Sequence, residues 1–139
     1  MRKLLLAALI FWLGVSVYPT FADEAAEKAA GAVAPAWLAQ IDGGKYAASW
    51  KDASAYFRAA VTEKGWSDAL NSSRKPLGKL LSRKLAKAQS AGSLPGAPDG
   101  NYVVMQFNTS FTNKKEAVET VTFMQEKDGK WRAAGYYIK

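Results

Sequence analysis

Asn101-Tyr102-Val103-Val104-Met105-Gln106-Phe107-Asn108-Thr109-Ser110-Phe111 is the stretch on which the fold turns. Val103, Met105, Phe107 and Phe111 fall on alternate positions, opposite Tyr102, Gln106, Asn108 and Ser110. A period of two places the first set on one face of an extended chain, which predicts a strand with one apolar face. Towards the C-terminus, Thr112-Asn113-Lys114-Lys115 has turn composition and Ala117 to Glu126 is rich in β-branched residues. Lys127-Asp128-Gly129-Lys130 predicts a tight hairpin turn of the Asp-Gly kind, and Trp131 to Ile138 the last strand of an antiparallel meander.

Towards the N-terminus the period lengthens. In Lys79 to Leu94, the residues Leu77, Leu80, Leu81, Leu85 and Ala88 have helical spacing, so periodicity alone reads helix. Glu63 to Lys75 predicts a helix capped by Thr62, with Trp66 and Leu70 four apart and Arg74 and Lys75 at the dipole's negative end. Pro76-Leu77-Gly78 stops it. A short helix is expected over Tyr46 to Asp52, and Ala53 to Val61 carries Tyr56, Phe57 and Val61. Asp23 to Asp42 is alanine-rich, with Val33, Trp37 and Ile41 in one helical stripe. Gly31 and Pro35 interrupt it, which predicts a frayed first part, a firm helix from Pro35 and an end at Gly43-Gly44. Helices first and a meander last make an α+β domain.

Composition excludes several chemistries. The 139 residues include no histidine and no cysteine. Disulfides, thiolate nucleophiles, zinc–thiolate sites, imidazole bases and histidine-containing triads are therefore excluded. No metal-ligand cluster, Gly-rich phosphate loop or serine-nucleophile motif is present, and no cofactor is expected. Arg2 and Lys3 precede an apolar run from Leu4 to Val17, followed by Pro19 and Thr20-Phe21-Ala22. The run is shorter than the roughly 20 residues needed to span a bilayer, and the pattern is that of a signal peptide over residues 1–22. The mature chain would be one domain, residues 23–139, periplasmic or secreted in a bacterium, with no membrane anchor after cleavage. Loss of Arg2 and Lys3 lowers the 19 basic residues to 17 against 12 acidic, a net charge of +5. Such an excess favours anionic partners and solubility alike.

A series of short motifs carries a resemblance. Ala36-Trp37-Leu38, Ile41-Asp42, Gly44-Lys45-Tyr46, Ser49-Trp50, Tyr56-Phe57, Arg74-Lys75-Pro76-Leu77-Gly78 and Ser82-Arg83-Lys84-Leu85 occur in order. Leu94-Pro95-Gly96-Ala97-Pro98-Asp99-Gly100, Val118-Glu119-Thr120-Val121 and Gly129-Lys130-Trp131-Arg132 follow. Together they resemble domain-of-unknown-function family 4019, from about Ala32 to Lys139, with Pro35 as a departure. That family's pattern is similar to the nuclear-transport-factor-like, or cystatin-like, α+β roll. The resemblance implies N-terminal helices packed on a curved, roughly four-stranded antiparallel sheet. It also implies that Ser82 to Leu94 is a strand paired with Tyr102 to Phe111, against the helical spacing.

Three constellations have functional potential. The aromatic residues Trp37, Trp50, Tyr56, Phe107, Phe123 and Trp131 would line a cavity for a small apolar ligand if the sheet curves around the first helix, and would otherwise form a core. Glu119 shares a strand face with Val121 and Phe123. On a concave face it would be a carboxylate in apolar surroundings, suited to general-base work with Tyr102, Tyr136 or Tyr137 as oxyanion donor. An outward-facing Glu119 is the more economical expectation, as is a helix-end role for Asp42 and Asp52. The basic stretch Arg74, Lys75, Lys79, Arg83, Lys84 and Lys87 contains no acidic neighbour between Asp68 and Asp99. It would suit a polyanion or envelope surface, or be a solvated helix end and strand edge. It lacks interleaved aromatics for base stacking, which argues against nucleic acid. The preferred expectation is a non-enzymatic module binding a small apolar ligand or an envelope protein. A cofactor-free enzyme and a polyanion binder are the alternatives.

Overall fold

The alternation of residues 102–111 is realised as the second strand of a four-stranded sheet in the computed structural model, which describes residues 21–139. Helix α1 spans Phe21–Asp42, α2 Tyr46–Lys51, α3 Ala55–Ala60 and α4 Glu63–Ser73, with a 3₁₀ turn over Lys75–Leu77. Strands β1 Leu80–Ala91, β2 Tyr102–Phe111, β3 Lys114–Gln125 and β4 Trp131–Ile138 follow, in the spatial order β1-β2-β3-β4 with every pair antiparallel. The chain is thus α+β, helices before sheet. The expected signal segment, residues 1–22, lies outside the described residues except for its last two positions, where α1 begins. No helix among the described residues is long and apolar enough to cross a membrane.

Residues 80–91 are a strand, as the family resemblance implies and the leucine spacing does not. Leu85 pairs with Phe107 and Ser90 with Val103, across the loop that contains Leu94 to Gly100. The leucine pattern misleads because β1 is an edge strand. Leu81 and Leu85 are 53% and 51% exposed, so no helical apolar face is buried there. Exposed Lys84 and Lys87 blunt the open edge, as lysines on edge strands do. Register shifts between Leu80 and Ser82 and between Leu85 and Lys87 mark bulges, which bend and twist a strand. Just before β1, Gly78 adopts φ +80°, and a Cβ there would lie 2.0 Å from Thr112 Oγ1. Only glycine admits both that conformation and that approach.

Helix α1 is continuous through Pro35, which corrects the expectation of a frayed first part. The proline removes one intrahelical donor. Burial on the sheet outweighs that loss: Ala30, Ala34, Leu38 and Ile41 are all within 1% of complete burial. The buried stripe therefore runs through two alanines, and Val33, expected on it, is exposed. Small side chains at 30 and 34 let the helix sit close to the sheet and turn Val33 towards its flank.

Between helices and sheet lies an aromatic core. Trp37 stacks on Trp66 with ring centroids 6.1 Å apart and meets Phe123 and Tyr136 edge-on at 5.9 Å. Phe57 packs edge-on to Trp66 at 4.9 Å. Ser49, fully buried on α2, satisfies both indoles: its carbonyl accepts from Trp37 Nε1 and its hydroxyl from Trp66 Nε1, each at 2.9 Å. Caps match the sequence expectation at Thr62, which accepts from the Gly65 N–H, and Ser54 accepts likewise from Phe57. Replacing Ser49 by alanine strands the Trp66 N–H in the core. The expected cost is about 1–3 kcal/mol, read as a lower urea midpoint at unchanged slope.

Candidate functional site

The sequence's most promising carboxylate is buried against a guanidinium. Glu119 on β3 has no exposed surface, contrary to the expectation that it faces outward. Its Oε1 accepts from Arg83 Nε at 2.7 Å and Thr109 Oγ1 at 2.5 Å; its Oε2 accepts from Arg83 Nη2 at 3.1 Å and from the Tyr136 hydroxyl. The other side of the Arg83 guanidinium holds Asp42 at the end of α1, with Nη1–Oδ2 at 2.8 Å and Nη2–Oδ1 at 2.9 Å. Arg74 completes the group. Its Nη2 donates to Asp42 Oδ1 at 3.2 Å and its Nη1 to the Gly78 carbonyl at 2.5 Å, while its guanidinium carbon sits 4.3 Å above the Phe111 ring. Two arginines face two carboxylates, so the buried charges balance.

Strand parity explains the assembly. Arg83 pairs with Thr109 across β1–β2, and Phe107 pairs with Glu119 across β2–β3, placing these side chains on the helix-facing side with Val103, Met105 and Val121. Val121 pairs with Tyr136, which brings the phenol to the same face. A lone acid on an otherwise apolar strand face is the sequence signal for a buried ion pair. The partner's identity is not readable from spacing, because Arg83 lies within a stretch of lysines.

The arrangement occupies Glu119. A carboxylate offers about four acceptor sites, and Arg83 twice, Thr109 and Tyr136 fill them. Glu119 therefore sits in charged and hydroxylic surroundings rather than the apolar ones expected of a general base. Burial disfavours charge on Arg83, yet hydrogen bonds to Asp42 and Glu119 more than offset this and raise its pKa above the ordinary arginine value. Burial, followed by the charge and hydrogen bonding of Glu119, holds the Tyr136 phenol protonated well above its usual range. Of the other proposed donors, Tyr102 gives its hydroxyl to the Pro98 carbonyl on the opposite sheet face, and Tyr137 is 59% exposed. Asp42 is more than a helix-end residue, since it anchors both arginines. Asp52 accepts from Gln40 Nε2 at 2.7 Å.

The basic stretch divides. Arg74 and Arg83 are withdrawn into the network, while Lys75, Lys79, Lys84 and Lys87 remain exposed. The continuous six-residue patch is thus four exposed lysines, a buried Arg74 and a partly buried Arg83.

The aromatic candidates divide as well. Trp37, Phe123 and Trp131 line an open cleft of about 1000 Å³ on the flank of α1. Phe107 is buried in the core, Trp50 gives its indole N–H to the Val61 carbonyl, and the Tyr56 hydroxyl ties down the β1–β2 loop at Gly96. Ala29, Val33, Ala36 and Gln40 of α1 form one wall of the cleft; the α2–α3 junction and the β3–β4 hairpin form the other. A second hollow of about 620 Å³ continues past Ala29 and Trp131 towards Ala25 and Gly92. Alanines on this flank leave the space that longer side chains would fill. Gln40 Oε1, at the polar corner, is buried without a hydrogen-bond partner. No group of three or more potential metal-ligating side chains occurs among the described residues.

The family model described as "Protein of unknown function (DUF4019)" matches residues 33–136, most of the chain. The chain belongs to the DUF4019 family. All members of the ion network, from Asp42 to Tyr136, fall within the DUF4019 match, as does most of the cleft. No curated protein and no solved structure matches the chain. The likeness to the cystatin-like roll accordingly rests on sequence resemblance alone.

Arg83→Met leaves Glu119 with a buried, uncompensated charge and Asp42 with Arg74 as its one remaining cation. Its expected cost is about 3–5 kcal/mol in urea unfolding, and Arg83→Lys recovers only part, because an ammonium cannot bridge two carboxylates in a fork. The raised Tyr136 pKa has a defined sign. The folded chain holds this proton where the unfolded chain, titrating at the ordinary 10.0, releases it. Stability is therefore fully present below pH 10 and falls as pH rises above it. Tyr136→Phe should flatten that alkaline decline in denaturation midpoints measured across pH.

Proposed function

We propose that this DUF4019 protein is an exported, non-enzymatic binding module that holds an apolar ligand in the cleft beside α1. The observation that carries this reading is the cleft itself: about 1000 Å³, open to solvent, with Trp37, Phe123 and Trp131 in its walls. Its volume falls in the range of small-molecule sites. The alternative of a cofactor-free enzyme loses support from Glu119, whose acceptor sites are taken by Arg83, Thr109 and Tyr136. A polyanion-binding surface loses support from the burial of Arg74 and Arg83. Export is supported by the basic start, apolar run and small residues of the first 22 positions.

Native mass spectrometry of protein purified from its own cells tests both halves. The expected chain begins at Asp23 and carries a small-molecule adduct. Ala36→Trp, which fills the cleft from an exposed helix position, should abolish the adduct. A chain retaining residues 1–22 would refute export, and an adduct that survives Ala36→Trp would refute the cleft as the site.

A further inference from the structure

The chemistry of the cleft's rim narrows the class of ligand. Lys51, Arg58, Lys130 and Arg132 line it against two carboxylates, Asp52 and Glu126, leaving the lining two positive charges in excess. Glu126 is already engaged: its Oε1 accepts from Arg132 Nη1 at 2.8 Å and its Oε2 from the Ala55 N–H at 3.0 Å. Arg132 is shared with Asp128 at 2.8 Å. Lys51, Arg58 and Lys130 are exposed and form no ion pair among the described residues. Asp52 is the lining's remaining carboxylate and Asp128 acts on Lys130, so the rim is net positive rather than bare of counter-charge. It stands over an apolar wall of Val33, Ala36 and Trp131, with the buried Trp37 and Phe123 beneath.

We propose that the cleft binds a free, single-chain anionic amphiphile, its apolar body against Trp131, Val33 and Ala36 and its carboxylate-like head among Lys51, Arg58 and Lys130. This rests on the reading of the cleft as an apolar ligand site and adds the sign of the head group. Charge complementarity selects an anion, because a cationic head would meet a rim whose lining is net positive. Concavity selects a free molecule over a bilayer surface, since a membrane-binding face presents its apolar side outward whereas these apolar side chains line a recess. The continuation past Ala29 into the second hollow gives an extended chain a path along α1.

Calorimetric titration of the purified protein with dodecanoate, dodecanol and dodecyltrimethylammonium, each below its micellar concentration, tests the inference. Dodecanoate should bind roughly tenfold or more tightly than dodecyltrimethylammonium, with dodecanol between them and the difference shrinking at high salt. The triple variant Lys51→Glu, Arg58→Glu, Lys130→Glu replaces exposed side chains only, and circular dichroism checks that it folds. It should reverse the order of the two charged ligands and leave dodecanol affinity within about twofold. Equal binding of the three chains, or a preference that the variant leaves unchanged, overturns the anionic-head inference while the apolar cleft stands. Absence of binding by all three overturns the cleft reading as well. Tighter binding to phosphatidylglycerol vesicles than to free dodecanoate overturns the choice of a free molecule over a membrane.

Discussion

One guanidinium, held between two carboxylates, joins the first helix to the sheet. Arg83 grips Asp42 on one side and Glu119 on the other, and Arg74 braces Asp42 from the turn after α4. Around Glu119 the network takes one side chain from each strand: Arg83 from β1, Thr109 from β2, Glu119 itself from β3 and Tyr136 from β4. Removing four charges from water is expensive, and the expense is offset only when geometry is good and every lone pair is used. Both conditions are met at Glu119. The result is a constraint rather than a reactive centre, since the groups that could move protons are spent on one another.

The aromatic core depends on the same docking. With the C-terminal end of α1 held at Asp42, Trp37 one turn earlier faces Trp66, Phe123 and Tyr136. Ser49 then supplies acceptors for two indole N–H groups that would otherwise be stranded. The N-terminal half of α1 is held differently. Its contacts run through Ala26, Ala30 and Ala34 and through Glu27, which accepts from Ser90 on β1. The flank turned towards the β3–β4 hairpin carries Ala29, Val33 and Ala36. Tight anchoring at one end and small side chains at the other leave an open cleft where Trp131 is partly exposed above the buried Phe123. The arrangement separates a rigid, charge-balanced end from an end with room for a ligand.

Much of this fold is legible residue by residue. Alternation at Val103, Met105, Phe107 and Phe111 gives β2 with its boundaries, and Thr62 and Pro76 bracket α4. The turn before β4 is a variation on the expectation: Glu126 and Lys130 close a three-residue loop with Gly129 at φ +82°. The misreadings have a common origin. Leu80, Leu81 and Leu85 mimic a helical stripe because an edge strand is free to leave apolar residues exposed. Val33 fits the α1 stripe as well as Ala34 does, and only the sheet's proximity favours the smaller residue. Arg83 reads as one cation among many until its carboxylates are in place. The cleft's cations, Lys51, Arg58 and Lys130, come from three separate elements and form no motif in the linear chain.

The sequence by itself determined the periods, caps and turns, the helix-then-meander order, and the exclusion of histidine and cysteine chemistry. These are local properties, set by the geometry of a helix or strand and by residue type. Tertiary structure alone decided which charges are buried and which face solvent. Arg83 is 36 residues from Glu119 and 41 from Asp42, so its burial depends on elements that meet only after the sheet forms and α1 docks. The cleft has the same origin. It is the space between α1 and a hairpin nearly a hundred residues away, left open because the helix presents alanines where the two could otherwise have closed.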